Sequence, residues 1–198
     1  PWSSAFDSVE VFNETAGWGF HDPVMARVPV NSQSHSVLQD WFNLLNQGHR
    51  IAAVGNSDSH SVESNLAGWP RNYVPSSTDV PGDIDVAEIA AGIKQGRLFT
   101  TFGPFIGFEV NGVGMGGETK GHNGEVDVWC NIQAASWIDC DRVKVIVNGE
   151  VAKVLSVEAT RSSVRLDRRI RIPMTQDGWV ALIVEGDEPL EPVVRHSK

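Results

Sequence analysis

The chain has 198 residues, of which 41% are hydrophobic, enough for one large domain or two small ones with a buried core. Its formal net charge is −9, from 16 basic and 25 acidic residues, with no basic cluster. Nucleic acids and anionic membranes are therefore poor partners, because both require clustered Lys and Arg, and no apolar stretch is long enough to span a bilayer.

The cellular compartment is not indicated by the sequence. The first six residues, PWSSAF, contain neither an initiating Met nor a charged leader, so we expect the chain to be part of a longer protein. Cys130 and Cys140 are too few for a disulfide scaffold. They could pair across neighbouring strands or remain two partly buried free thiols.

Residues 1–104 alternate strands with helices. The first strand is predicted over 7–12, and a long loop rich in Gly, Pro and aromatic residues follows it. A helix should begin at Ser36, with Gln39 completing a capping box, and end at Gly48. A buried strand is then predicted over 51–54.

A second loop carries the sequence GWPRNY, residues 68–73. Asp85 and Glu88 should cap the next helix, whose inner face is predicted to consist of four apolar residues, Val86, Ile89, Ala90 and Ile93. A third strand is predicted over 97–101. Strands that alternate with helices in this way indicate parallel βα units.

From Phe105 the hydrophobic period changes to two. Six strands are predicted, over 105–110, 125–133, 143–147, 151–157, 163–172 and 179–184. Asn111–Gly112 and Asn148–Gly149 are hairpin turn signals, because Asn-Gly accepts positive φ at both positions. This half is predicted to be an antiparallel β-sandwich, with the domain boundary near Gly103–Pro104.

The most informative motif follows the strand over 51–54, where the chain reads GNSDSH, residues 55–60. If the backbone stays extended there, the side chains of Asp58 and His60 leave on the same face. A carboxylate oxygen and an imidazole nitrogen that converge are typical of a divalent-metal site. The alternative is that Asp58 caps a helix and His60 is a surface residue in its first turn.

Taken in order, several segments resemble PHP-domain metal-dependent hydrolases of the CehA/McbA type, in which a β-sandwich follows the barrel. They are SVEVFN, residues 8–13; LLNQG, residues 44–48; GNSDSH; GWPRNY; and KQGRLFTTFGP, residues 94–104. The resemblance implies a distorted (β/α)₇ barrel that binds two or three divalent metal ions (Zn, Mn or Fe). It also implies hydrolysis of a small-molecule phosphoester, or of a carboxyl ester or carbamate. Asp58 and His60 match the last metal-binding motif of that barrel.

One feature of that family is absent. Its first motif, His-x-His, does not occur among the six histidines, which are residues 21, 35, 49, 60, 122 and 196. The fold class expected is therefore α/β plus all-β: the C-terminal portion of a PHP-like barrel over 1–104 and a β-sandwich over 105–198. Asp58 and His60 are two ligands, fewer than the three usual at a catalytic metal, so the chain should turn over little substrate.

Further site candidates lie around this motif. Glu10 and Asn13, at the end of the first strand, could line the substrate side or touch a metal, or Glu10 could be a solvated strand end. Arg71 could grip an anionic substrate in bidentate fashion or form an ion pair that pins its loop. His21 and His35 flank the first long loop and are interpreted as polar loop positions.

A non-catalytic function is the alternative, in which the sandwich binds a carbohydrate or a protein partner. Trp129 and Trp179 stand in strand patterns and are interpreted as core. Trp137, in the loop after Gln133, is the candidate for an exposed platform. Under either function, three βα units cannot close a barrel, so we expect a homo-oligomer, most simply a two-fold dimer, to cover the open sheet edge.

Overall fold

The computed structural model describes residues 5–13, 37–60, 62, 67–188 and 190. It is a mixed α/β structure dominated by sheet. Two compact units are distinguished: one contains the residues up to Phe102 together with Met115–Gly117, and the other contains Gly103–Gly114 and the residues from Glu118 onward. Within the described residues, no helix combines the length and the apolar character needed to cross a membrane.

The first unit contains two short sheets and two helices. Its elements are β1 (Ser8–Asn13), α1 (Val37–Asn46), β2 (Ala52–Asn56), β3 (Arg71–Tyr73), α2 (Val86–Lys94) and β4 (Phe99–Thr101). Strands β1 and β2 pair in parallel, with Ser8 opposite Ala52. A single 3₁₀ turn precedes α2.

The pairing of β3 with β4 departs from the expected parallel arrangement. These strands are antiparallel, and residues 71–73 were expected to be loop. Tyr73 lies opposite Phe99, and the two rings stack with centroids 5.0 Å apart and planes 15° apart. Cross-strand aromatic pairs of this kind stabilise a sheet, which explains why a short polar segment pairs here.

Helix α1 buries Phe42 and Leu44. The Trp41 indole donates to the carbonyl of Ile51 at 2.8 Å, tying the helix to the start of β2. Gly48 has a φ of +84° just after the helix, which is the left-handed stop that the sequence predicts. Ser36, the predicted N-cap, lies outside the described residues.

Helix α2 has the predicted cap but not the predicted inner face. Asp85 accepts a hydrogen bond from the Ala87 amide at 2.8 Å, whereas the Glu88 carboxylate binds Ser77 instead of capping. The expectation for two apolar positions was wrong: Val86 is 79% exposed, and Ala90 is also exposed. The packed face is centred instead on Gly92, where a Cβ would come within 2.7 Å of Val74.

The second unit contains seven strands among the described residues. They are β5 (Phe105–Val110), β6 (Val113–Gly114), β7 (Glu125–Gln133), β8 (Arg142–Val147), β9 (Glu150–Ser156), β10 (Val164–Pro173) and β11 (Val180–Glu185). They form two antiparallel sheets, in the orders β10-β7-β5-β6 and β11-β8-β9. The six predicted strands match the observed strands β5 and β7–β11 to within one residue at each end. The two-residue strand β6 was not predicted.

Alternation along the strands builds the core of this unit. Val128 of β7 and Val145 of β8 are fully buried and share one cluster with Ile172 of β10, so the two sheets pack face to face. The prediction that Trp129 is core was wrong, because the pleat directs it to the other face of β7. There its indole donates to Asp167 at 2.8 Å, beneath the Arg169 guanidinium.

Both Asn-Gly hairpin turns are confirmed. Asn111 and Gly112 have φ values of 51° and 78°, and Asn148 and Gly149 have values of 52° and 93°. Positive φ at both central residues gives the turn a twist that matches the flanking strands. The two cysteines are free and buried, so the alternative without a disulfide is the one observed.

Candidate functional site

A polar cluster lies at the carboxyl ends of β1 and β2. The carboxylate of Glu10 accepts a hydrogen bond from the Asn13 amide at 2.7 Å through one oxygen and from the Asn56 amide through the other. The parallel pairing brings both strand ends to the same edge. Glu10 and Asn13, expected near the site, are thus in direct contact, and Glu10 holds two amides in place.

Asn72 extends this cluster toward β3. Its side chain accepts a hydrogen bond from the Gly55 amide and donates one to the Gly55 carbonyl, both at 2.9 Å. These are the two bonds that the backbone of a neighbouring strand would otherwise make. Asn72 also donates to Asn56 at 3.3 Å. A Cβ on Gly55 would lie 2.1 Å from the Thr100 hydroxyl, so only glycine fits there.

Asn56 and Asn72 were missed in the sequence, although each lies within a motif that had been singled out. The GNSDSH segment contains Asn56, and the GWPRNY segment contains Asn72. An asparagine between more reactive residue types carries little signal by itself, because its role depends on a partner distant in the chain. The sequence alone does not identify that partner, because the two residues meet only once the strands have paired.

Asp58 and His60 come together, but not by the expected route. Strand β2 ends at Asn56, and Asp58 has a φ of 50°, so the assumption of an extended backbone was wrong. Residues 57–60 are not helical either, which removes the alternative of a helix cap. The Asp58 Oδ1 and His60 Nδ1 atoms are 3.9 Å apart, on side chains that are 57% and 77% exposed.

The hydrogen bond of His60 defines its tautomer. Its Nδ1 atom lies 2.5 Å from the Asp58 carbonyl oxygen. Because a carbonyl only accepts, Nδ1 carries the proton, and the neutral ring has its lone pair on Nε2. A backbone carbonyl that fixes the Nδ1 proton is a common way to present Nε2 to a metal ion.

The donor set suits a divalent cation but is small. One carboxylate and one imidazole, both open to solvent, are ligand types that Zn, Mn and Fe accept. Among the residues that the structure describes, no group of three or more His, Cys, Asp and Glu side chains is placed to hold a metal ion. Within those residues, Asp58 and His60 are therefore fewer than the three protein ligands usual at a catalytic metal.

Arg71 is held by its own loop. It donates to the Tyr73 hydroxyl at 3.2 Å and to the Gly68 carbonyl at 3.4 Å, and its guanidinium lies 5.6 Å from the centroid of the Tyr73 ring. The alternative to substrate binding, an ion pair that pins the loop, is not found among the described residues. The Gly68 amide donates to the Ser57 hydroxyl at 3.3 Å, so this loop contacts the segment that carries Asp58.

The other histidines do not join this cluster within the described residues. The backbone amide of His49 binds the Leu44 carbonyl at 3.1 Å, so its contact with the end of α1 comes from the main chain. His122 pairs through its backbone with Glu125. His21, His35 and His196 lie outside the described residues.

A separate cleft of about 400 Å³ lies within the second unit. Its wall includes Trp137, which is 45% exposed, and Arg165, which is only 9% exposed. Asp139, Glu158 and Arg161 also contribute to the lining. The tryptophan selected from the sequence as an exposed platform thus lies at a concave surface rather than on a flat one.

The two sites differ in chemistry. The first offers a carboxylate and an imidazole at the end of a parallel strand pair, and the second offers an indole and guanidinium groups in a cleft. Comparison of the chain with protein-family models, with curated proteins and with solved structures gives no significant match.

Proposed function

We propose that the first unit belongs to a PHP-type metal-dependent hydrolase, of which this chain supplies the C-terminal portion of the barrel. The observation that carries the proposal is the proximity of the Asp58 carboxylate and the His60 ring just beyond β2, where Nδ1 is bound to the Asp58 carbonyl and, among the described residues, Nε2 is the ring nitrogen available to a cation. Residues that follow the carboxyl end of a parallel strand are where α/β folds place their chemistry. The ordered motifs that resemble PHP hydrolases give the same assignment.

Asp58 and the Nε2 atom of His60 would hold a Zn, Mn or Fe ion. A bound divalent ion would polarise the ester oxygen and lower the pKa of water. Glu10 acts as a positioning residue, since both of its oxygens already hold the amides of Asn13 and Asn56. The substrate is a small phosphoester or carboxyl ester.

Arg71 and Asn13 would form the substrate side of this site. A guanidinium binds the paired oxygens of a phosphoryl or carboxyl group through two parallel hydrogen bonds. The two bonds that Arg71 makes to its own loop fix the position of the side chain, which lowers the entropy lost on binding.

The partial ligand set limits the activity expected. Catalytic metal sites use about three protein ligands, and the described residues supply two. We therefore expect weak binding of Zn²⁺ or Mn²⁺ and little hydrolysis of a phosphodiester by the chain alone. Additional ligands of the PHP type would be needed for full activity.

Calorimetric titration with Zn²⁺ and Mn²⁺ tests the ligand assignment. The Asp58→Asn, His60→Gln double variant should lose the binding observed for the wild type. Asparagine keeps the tolerance for positive φ at position 58, so the substitution removes the charge without adding backbone strain.

The matched control is the Asp83→Asn, His122→Gln double variant, which removes the same two residue types at exposed positions elsewhere. It should bind the metal as the wild type does. Equal affinity in the Asp58/His60 variant and the wild type would overturn the metal-ligand assignment and, with it, the hydrolase proposal.

A further inference from the structure

The cleft of the second unit contains Arg165, a buried cation with no anionic partner among the described residues. The Arg165 guanidinium donates twice through Nη2, to the carbonyls of Ala135 at 2.6 Å and Ile138 at 3.0 Å. Its Nε atom is buried and has no hydrogen-bond partner in the described part of the chain. None of the ion pairs observed there includes Arg165.

An unpaired cation that is nine-tenths buried is costly. Side-chain charges taken out of water are normally paired, because the carbonyl dipoles around them replace hydration only in part. Neither of the two carbonyl bonds uses Nη1. Arg161, which is exposed, adds a second positive charge to the same cleft. These two guanidinium groups are the part of the lining that favours a negatively charged group on the ligand.

The remaining lining residues restrict which anion fits. Three carboxylates, those of Asp139, Asp141 and Glu158, also line the cleft, so a ligand with more than one negative charge would be repelled. The same carboxylates accept hydrogen bonds from hydroxyl groups. A ligand with one charge and several hydroxyls therefore satisfies the lining better than a phosphate does.

Trp137 supplies an apolar surface beside these polar groups. Its side chain is 45% exposed although it belongs to a cleft wall. A half-exposed indole offers a flat face on which the C–H side of a sugar ring can pack, while the N–H edge of the indole stays in contact with water. Large aromatic side chains of this type are enriched at binding surfaces.

We propose that this cleft binds a uronate, a sugar that carries a single carboxylate, either free or at the end of a saccharide chain. The carboxylate pairs with Arg165 and Arg161, the hydroxyls donate to Asp139 and Glu158, and the ring packs on Trp137. The inference goes beyond the hydrolase function and depends only on residues of the second unit.

The experiment is a titration of the full chain, labelled with ¹⁵N at the tryptophan indoles, with glucuronate and galacturonate. The Trp137 signal, identified by its loss in Trp137→Phe, should shift with saturation. Trp137→Ala should weaken binding by about tenfold, since a stacked aromatic contributes about 1.5 kcal/mol at most beyond its buried area. Arg161→Gln should weaken it by about tenfold or more.

Two further arginine variants test whether the binding depends on the arginines of the cleft. Arg171→Gln removes an exposed arginine outside the cleft lining and should leave the affinity unchanged. Arg165→Lys keeps the positive charge but changes the geometry of the donors, so this variant should bind the uronate more weakly. If Arg165→Lys does not fold, the affinity of Arg161→Gln tests the role of the arginines.

Four results would overturn the proposal. Glucose or galactose could bind as tightly as the uronates, which would remove the role of the arginines. Acetate or inorganic phosphate could give the same shifts, which would indicate an adventitious ion only. The absence of any shift, or full affinity in Trp137→Ala, would also contradict it, while metal binding at Asp58 and His60 would be unaffected.

Discussion

Asp58 adopts a left-handed backbone conformation, which residues with a Cβ usually avoid. Aspartate and asparagine tolerate it better than most, because their short polar side chains bond locally. The resulting turn brings the ring of His60 back onto the Asp58 carbonyl. The residue types at 58 and 60 therefore specify both the chemistry of the two side chains and the turn that brings them together.

The side chain of Cys140 provides a pH-dependent test of the core of the second unit. Burial raises the pKa of this thiol from its ordinary value of 9.0 to about 11, although the Arg165 charge nearby acts in the opposite direction. Between those values the unfolded thiol ionises while the folded one keeps its proton. Since the folded pKa is the higher, stability is present below about pH 9 and is lost as the pH rises through 11.

As the pH rises from about 9 to about 11, we expect the free energy of unfolding to fall by roughly 2 to 3 kcal/mol more in the wild type than in Cys140→Ala. Urea unfolding at a series of pH values checks this. The other titratable groups are common to both proteins and cancel in the difference. Parallel curves for the two proteins would show that the thiol does not ionise differently on unfolding.

At the scale of elements, the turn between β8 and β9 also forms hydrogen bonds to the residue that precedes β11. The Asn148 side chain accepts from the Trp179 amide at 3.0 Å, and the backbone amide of Asn148 donates to the Trp179 carbonyl at 3.2 Å. Trp179 directly precedes β11, so Asn148 connects the hairpin to the third strand of its sheet. A hairpin signal in the sequence thus also fixes the start of a neighbouring strand.

Asn148→Ala should destabilise the second unit by about 2 to 3 kcal/mol. About 1 to 2 kcal/mol comes from the left-handed conformation, and about 1 kcal/mol from the lost side-chain hydrogen bond. Urea unfolding, monitored by tryptophan fluorescence, measures the change.

The matched control for this substitution is Asn123→Ala. Asn123 has a φ of 56°, but among the described residues its side chain makes no hydrogen bond that would be lost. This variant should therefore show only the cost of the left-handed conformation. Equal losses at the two positions would mean that the bond to Trp179 contributes nothing to stability.

The elements of the second half could be predicted because their determinants are local. Alternation over six to ten residues defines each strand, and Asn-Gly defines two of the turns. The inner face of α2 could not be predicted in the same way. The sequence offers Val86 as an apolar position, but the close approach of Val74 places Gly92 on the packed side and leaves Val86 exposed.

At the scale of the whole molecule, the assembly state stays a prediction. Strand β1 pairs with β2 on one side, and no strand of the described part pairs with its other side. Open strand edges invite pairing with another chain. We expect a homo-oligomer, most simply a two-fold dimer, and light scattering should give a mass about twice the 21.6 kDa of the chain. A mass of one chain throughout a concentration series would contradict this.

The sequence by itself determined the division into a helix-containing half and a strand-rich half, the strands of the second half and the presence of an Asp-x-His motif. These follow from local periodicity and turn chemistry, which depend on residues close in the chain. Only the tertiary structure placed Asn72 against Gly55, paired β3 with β4, and bound the Arg165 guanidinium to the carbonyl of Ala135. Those contacts join residues 17 to 30 positions apart, and no local pattern encodes which distant partner a side chain will meet.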